Sequence, residues 1–150
     1  MRVCGNRMPE PGITIVRVFD ASRERVWREW TEPSAFADWF GGGDCEIPLS
    51  TVLMDVRAGG SWRATMFCDG GNRRIDWSGD YLEVVEPERI VFTFSADPGV
   101  SNEVVTVVLH DLGDGRTEMR FEQRGSQSAE DYERTGAGWG KFLDQLASRL

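Results

Sequence analysis

Apolar and polar residues alternate along much of this chain, and in three stretches the alternation gives way to helical spacing. Residues 13–19, ITIVRVF, are rich in β-branched residues and predict a strand. Asp20 and Ser22 then offer helix caps. Val26, Trp27 and Trp30 recur at helical spacing with Arg and Glu between them, which predicts a short amphipathic helix. Thr31-Glu32-Pro33 breaks it, and Pro33 suits the first position of a second short helix. There Phe36, Trp39 and Phe40 fall at i, i+3 and i+4, and Gly41-Gly42-Gly43 marks the stop, either as a helix end or as a mobile rim.

The middle of the chain reads as successive strands at 44–48, 51–57, 60–68, 73–84, 89–95, 103–110 and 116–123. Tight turn signals separate them, among them Ala58-Gly59-Gly60, Asp69-Gly70-Gly71-Asn72, Asp97-Pro98-Gly99 and Gly113-Asp114-Gly115, so an antiparallel meander is expected. Parity assigns an inner face. Trp62, Ala64 and Met66 share one side, as do Ile90, Phe92 and Phe94, then Val105, Val107 and Leu109, then Met119 and Phe121. A slip of one residue would turn each set outward, so the register is well specified.

A helix of roughly twenty residues is expected to close the chain. Ser128 followed by Asp131 resembles a capping box, and Trp139, Phe142, Leu143, Leu146 and Leu150 form one apolar stripe. Gly136, Gly138 and Gly140 interrupt it, each at a cost of about 1 kcal/mol relative to Ala. Two readings follow. The glycines clear room for a ligand or a close strand, or the helix begins only near Gly138 and 126–137 is a loop. The whole predicts an α+β domain: a curved antiparallel sheet of six to seven strands around a long C-terminal helix, with two short helices after the first strand. Residues 1–12, with two prolines and no periodicity, read as a loose leader, and 13–150 as one domain.

Composition sharpens this picture. In 150 residues there are six Trp and eight Phe, and each buried ring removes roughly 150–250 Å² from water. Either the core is very aromatic or some rings line a space. A net charge of −8 and the lack of a basic run argue against nucleic acid or an anionic membrane as partner. No stretch reaches the length of a membrane span or a signal peptide, so the cytoplasm is the expected location. Cys4, Cys45 and Cys68 are odd in number and form no CxxC pair; neither a disulfide nor a zinc site is expected, and Cys45 and Cys68 read as small buried hydrophobes.

Four segments, in order, resemble one known group. They are Phe19-Asp20-Ala21 with Val26-Trp27 and Trp39-Phe40; Asp55-Val56-Arg57-Ala58-Gly59-Gly60-Ser61-Trp62; the run Gly79 to Phe92, GDYLEVVEPERIVF; and Ala137-Gly138-Trp139 before the final leucines. Together they are similar to the activator-of-heat-shock-protein-90-ATPase-like group of the START-like (SRPBCC) superfamily, across residues 13–150. The resemblance implies the helix-grip fold shared with birch-pollen-allergen-like proteins. Its members include lipid and hormone carriers, polyketide cyclases and co-chaperone domains, so the fold alone does not settle the function.

Catalytic signatures are sparse. The single histidine, His110, stands beside a predicted hairpin turn and reads as solvated. Acids such as Asp76, Asp80, Glu86 and Glu88 flank strands and turns and read as surface groups; for Asp76 parity agrees, because Ile75, Trp77 and Tyr81 share the other face. The aromatic set carries more information. Trp39, Phe40, Trp62, Met66, Trp77, Tyr81, Phe92, Phe94, Val107, Trp139 and Phe142 are expected to converge between sheet and helix and line a cavity of several hundred cubic ångströms. The expected ligand is a small hydrophobic molecule, lipid-like, aromatic or polyketide-like, with no cofactor and no metal. Two alternatives stand beside it. One is a cyclase or dehydratase in the same pocket, which needs Tyr81, Asp76 or Arg63 to point inward. The other is a protein partner, as a co-chaperone stimulating an ATPase.

Overall fold

The computed structural model of the chain describes residues 11–99 and 102–150. Strand β1 (Gly12–Phe19) leads to helices α1 (Arg23–Thr31) and α2 (Pro33–Trp39). Then come β2 (Leu53–Met54), β3 (Ser61–Cys68), β4 (Arg73–Val85), β5 (Arg89–Asp97), β6 (Glu103–Gly113) and β7 (Arg116–Arg124), and the chain closes with α3 (Ala129–Ser148). The strands form one antiparallel sheet in the order β1-β7-β6-β5-β4-β3-β2. This is the α+β architecture expected from the pattern, and the helix-grip fold that the family resemblance implies. The expected leader falls on residues 1–10, outside the described residues, save for Pro11 and Gly12, and Gly12 already belongs to β1.

Local chemistry fixes the helices as anticipated. The Ser22 hydroxyl accepts from Arg25 N at 3.2 Å, and Pro33 opens α2. At α3 the Ser128 hydroxyl accepts from Asp131 N at 3.1 Å, so the helix begins at Ala129 and not near Gly138. Its buried face is Tyr132, Trp139, Leu143 and Leu146. The inner-face parity also holds: Trp62, Ala64, Met66, Ile90, Phe92, Phe94, Val105, Val107, Leu109, Met119 and Phe121 are all buried.

Three expectations are corrected. Residues 44–48 form no strand. Only Glu46 bridges to Phe67, and the expected strand 51–57 shrinks to Leu53–Met54, because a 3-10 turn at Leu49–Thr51 interrupts the extended chain. The cysteines are paired as well: Cys45 and Cys68 form a disulfide with sulfurs 2.08 Å apart. The cause is register. Glu46 and Phe67 exchange both backbone hydrogen bonds, each 2.8 Å. Residues 45 and 68 therefore face each other as the neighbouring non-hydrogen-bonded pair, where Cα atoms approach to about 4.5 Å; here the separation is 4.4 Å. A pairing across 23 residues leaves no CxxC trace. Cys4 lies outside the described residues.

The helix glycines, finally, do not make room for anything close. A Cβ on Gly136 would meet only Ile13 of β1, at an ordinary 3.8 Å, and one on Gly138 or Gly140 would meet nothing within 4 Å. Gly138→Ala and Gly140→Ala are therefore each expected to stabilise the fold by about 1 kcal/mol, roughly 2–4 °C in Tm. Thermal denaturation checks this, and a lowered Tm would show that α3 needs these glycines for more than fit.

Candidate functional site

Between the sheet and the helices lies a continuous aromatic cluster. Trp30 and Trp39 meet edge to face with centroids 4.7 Å apart, Phe36 stacks on Phe40 at 4.6 Å, Trp77 on Phe94 at 4.6 Å, and Trp139 leans on Phe121 at 4.5 Å. Helices α1 and α2 supply Trp30, Phe36, Trp39 and Phe40, the sheet supplies Trp62, Trp77, Phe92, Phe94 and Phe121, and α3 supplies Trp139 and Phe142. The rings fill their own space. The internal hollow measures about 10 Å³, lined by Trp30, Phe36, Met54, Trp62, Tyr81 and Phe92. That is near the minimum for one water; among the described residues these rings leave that much room between them, against the several hundred cubic ångströms expected.

Of the residues singled out from the sequence, Trp62, Tyr81 and Phe92 line the hollow. Trp39, Phe40, Met66, Phe94, Val107 and Trp139 are buried around it, and Trp77 and Phe142 are partly buried against the same core. Trp30, Phe36 and Met54 line it without having been singled out. Trp30 and Phe36 were visible in the helical stripes; Met54 had no signal, since it sits on a two-residue edge strand.

Polar groups inside the cluster are few and mostly paired. Trp39 Nε1 donates to the Glu29 carbonyl at 2.8 Å, and Trp139 Nε1 to Gln123 Oε1 at 2.7 Å. Trp62 Nε1 reaches the Thr93 carbonyl at 3.1 Å. The β4–β5 register passes over Gly79 and Asp80 at that point, and a Cβ on Gly79 would stand 1.8 Å from the Thr93 carbonyl oxygen and 2.5 Å from the indole nitrogen. Only glycine fits there. Two indoles differ: Trp30 Nε1 and Trp77 Nε1 are buried with no acceptor among the described residues.

A second polar chain lies under the start of α3. Glu103 is fully buried and accepts four hydrogen bonds, from Tyr132 Oη at 2.7 Å, Ser126 N at 2.9 Å, Gln123 Nε2 at 3.1 Å and Gln127 Nε2 at 3.3 Å. Gly125 is packed so tightly on it that a Cβ would lie 1.8 Å from Oε2. Through Gln123 this cluster orients the Trp139 ring.

Of the three groups an enzyme reading would need inside, one is there. Tyr81 is buried, and burial, with Asp55 nearby, pushes its hydroxyl well above the ordinary phenol range. Asp76 faces outward, accepting from Thr65 Oγ1 at 2.9 Å and pairing with Arg74; Arg63 and His110 are exposed.

The family model described as activator of Hsp90 ATPase homolog 1-like protein matches residues 20–150. The chain belongs to that family. Solved structures agree. Protein CV1439 from Chromobacterium violaceum is 30% identical over 92% of this chain and 96% of its own, with a TM-score of 0.82. Protein NE0264 from Nitrosomonas europaea is 24% identical over 95% of each chain, with a TM-score of 0.79. The AHSA1 protein from Silicibacter pomeroyi is 21% identical over 92% and 96%, with a TM-score of 0.80. No curated protein matches the chain. For this member of the activator of Hsp90 ATPase homolog 1-like family the fold is established, and among the described residues the rings leave a hollow of about 10 Å³ between them. Among the described residues no helix is long and apolar enough to cross a membrane.

Proposed function

We propose that this protein binds a small, flat, apolar molecule carrying one hydrogen-bond acceptor, at the end of the aromatic core formed by Trp30, Phe36, Met54, Trp62, Tyr81 and Phe92. The supporting observation is the Trp30 indole N–H. It belongs to a ring that is 2% exposed and walls the hollow, and it has no acceptor among the described residues. A buried donor left unpaired costs about 1–3 kcal/mol. A ligand oxygen supplies what the protein omits. Entry displaces Met54, a flexible side chain on the short edge strand β2, and parts α2 from β3. Binding is then induced fit into a site the free protein fills itself.

Binding is favoured over catalysis on the same geometry. With Asp76 and Arg63 outside, Tyr81 is the one hydroxyl in this wall, and a phenol held neutral by burial donates a proton poorly and cannot serve as a base near neutral pH. The Tyr81 hydroxyl makes no hydrogen bond among the described residues and offers the ligand a second polar contact. The cytoplasm is the proposed location, where a disulfide is a transient or regulatory bond rather than a permanent one.

The test compares naphthalene with 2-acetylnaphthalene, read by quenching of tryptophan fluorescence. The ketone is expected to bind about 2–10-fold more tightly, the worth of one hydrogen bond. Trp30→Phe should abolish that preference, and Met54→Trp should weaken both ligands at least tenfold. Leu53→Trp, on the opposite parity and half exposed, should weaken neither. No binding of either molecule, or equal affinity in Met54→Trp, would refute the site.

A further inference from the structure

The Cys45–Cys68 disulfide closes the far end of the helix that covers the proposed site. We propose that it is a redox catch on α2: oxidised it holds the aromatic interior shut, and reduced it lets α2 lift and admit the ligand. The inference rests on the binding reading above and adds its regulation.

Helix α2 carries Phe36, a wall of the hollow, and leads into Phe40, which contacts Trp62, Trp77, Phe94, Trp139 and Phe142. At its start α2 is joined to α1 through the single residue Glu32. At its end the chain passes through Gly41, Gly42 and Gly43, with φ of 116°, 67° and 86°, before reaching Cys45. Side chains rarely adopt such φ values, so this is a hinge that only glycine makes cheaply. Beyond it, two kinds of bond tie the segment to the sheet: the disulfide, and the two Glu46–Phe67 backbone bonds beside it. The ion pairs from this region to α3 and the C-terminus, Lys141–Asp44 at 4.0 Å and Arg149–Asp38 at 2.9 Å, are made by exposed aspartates. Cutting the covalent tie leaves hydrogen bonds at a strand end and ring contacts, and these are reversible.

The exchange is balanced by a dithiol reductant. Cys45 is the more exposed of the pair, since Cys68 is 8% exposed. A thiolate of the reductant attacks the Cys45 sulfur and expels the Cys68 thiolate. The second thiol of the reductant, as its thiolate, then attacks the reductant's own sulfur in the mixed disulfide and expels the Cys45 thiolate. Two electrons and two protons pass to the protein, giving two thiols, and the reductant leaves as its own disulfide.

The experiment uses the full chain with Cys4→Ser, so that no third thiol exchanges. It is compared oxidised, reduced with dithiothreitol, and as the Cys45→Ser/Cys68→Ser variant. Hydrogen exchange of the amides between residues 36 and 48, Pro48 having none, should quicken at least tenfold on reduction while β5, β6, β7 and α3 keep their protection. Affinity for 2-acetylnaphthalene should rise at least tenfold, and the double variant should match the reduced protein. Unchanged exchange at 36–48, acceleration throughout the chain, or free thiols at both positions in protein prepared without reductant would each overturn the catch. Local exchange that quickens while neither state binds the ketone keeps the catch and sinks the ligand reading. Binding that ignores redox state, with unchanged exchange, does the reverse.

Discussion

Glu29→Ala is expected to cost about 3–5 kcal/mol of stability, the range for breaking one side of a buried ion pair, and so to lower Tm by roughly 6–20 °C. Glu29 is fully buried on α1. Its carboxylate meets Arg25 Nη1 at 2.6 Å, Arg149 Nε at 2.5 Å and Arg149 Nη2 at 3.3 Å. Arg149 goes on to Asp38 of α2, and Arg25 Nη2 donates to the Arg149 carbonyl at 3.1 Å. One carboxylate thus binds α1, α2 and the end of the chain together. The hydrogen bond that Arg149 donates to Glu29 dominates its environment and raises the guanidinium pKa further, against the opposing effect of its burial. In the alanine variant both arginines can still turn to water, since each keeps about a third of its side chain exposed, which favours the lower part of the range. Thermal melts of Glu29→Ala, Arg149→Ala and the double variant would measure the coupling. A Tm within about 2 °C of the parent would show that the triad is replaceable.

Parity explains what could be read from the chain. In a strand the side-chain period is two, so naming one inward residue names its whole face, and the inner faces of β3, β5, β6 and β7 follow directly. Glu103 and Gln123 share the parity of Val105 and Phe121, so the same rule points both inward; their polarity hid them, because a buried carboxylate announces itself only through partners as distant as Tyr132. Glu29 is harder still. It lies in a stripe of Val26, Trp27 and Trp30, and its burial depends on Arg149, 120 positions along the chain. The Cys45–Cys68 pair follows the same logic, since it is created by a two-residue bridge that no run of β-branched residues advertises. What the sequence could not convey is volume. Inward rings were legible, but whether they enclose or fill a space depends on how α2 settles over β3.

A buried tryptophan needs, as a rule, a partner for its N–H, and the core indoles differ in whether they have one. Trp39, Trp62 and Trp139 obey it through a helix carbonyl, an opened sheet and a buried glutamine. Trp30 and Trp77 break it. Of these two only Trp30 walls the hollow, while Trp77 stacks on Phe94 away from it, so the unpaired donor distinguishes the proposed site only together with the lining.

Removing the buried carboxylate beneath α3 should also be severe. Glu103→Ala strands four donors at once, of which Tyr132 Oη and Gln123 Nε2 are buried, so a loss of about 3–5 kcal/mol is expected. Tyr132→Phe removes one bond and should cost about 2 kcal/mol near neutral pH. A pH arm isolates the pair. Burial, then the hydrogen bond to Glu103, pushes the Tyr132 hydroxyl up to about 12 from 10.0. The folded state therefore favours the neutral phenol more than the unfolded chain does. That contribution is fully present below pH 10 and is lost as pH rises from 10 through 12, amounting to about 3 kcal/mol over the two units. Tyr81, also raised, adds a loss in the same direction, common to both proteins. Urea denaturation at pH 8 and at pH 11.5 should thus show the parent losing more stability than Tyr132→Phe, bringing the two curves together. If instead they fall in parallel, the tyrosine is not held in its neutral form by this cluster, and the anchoring of α3 rests on its apolar stripe alone.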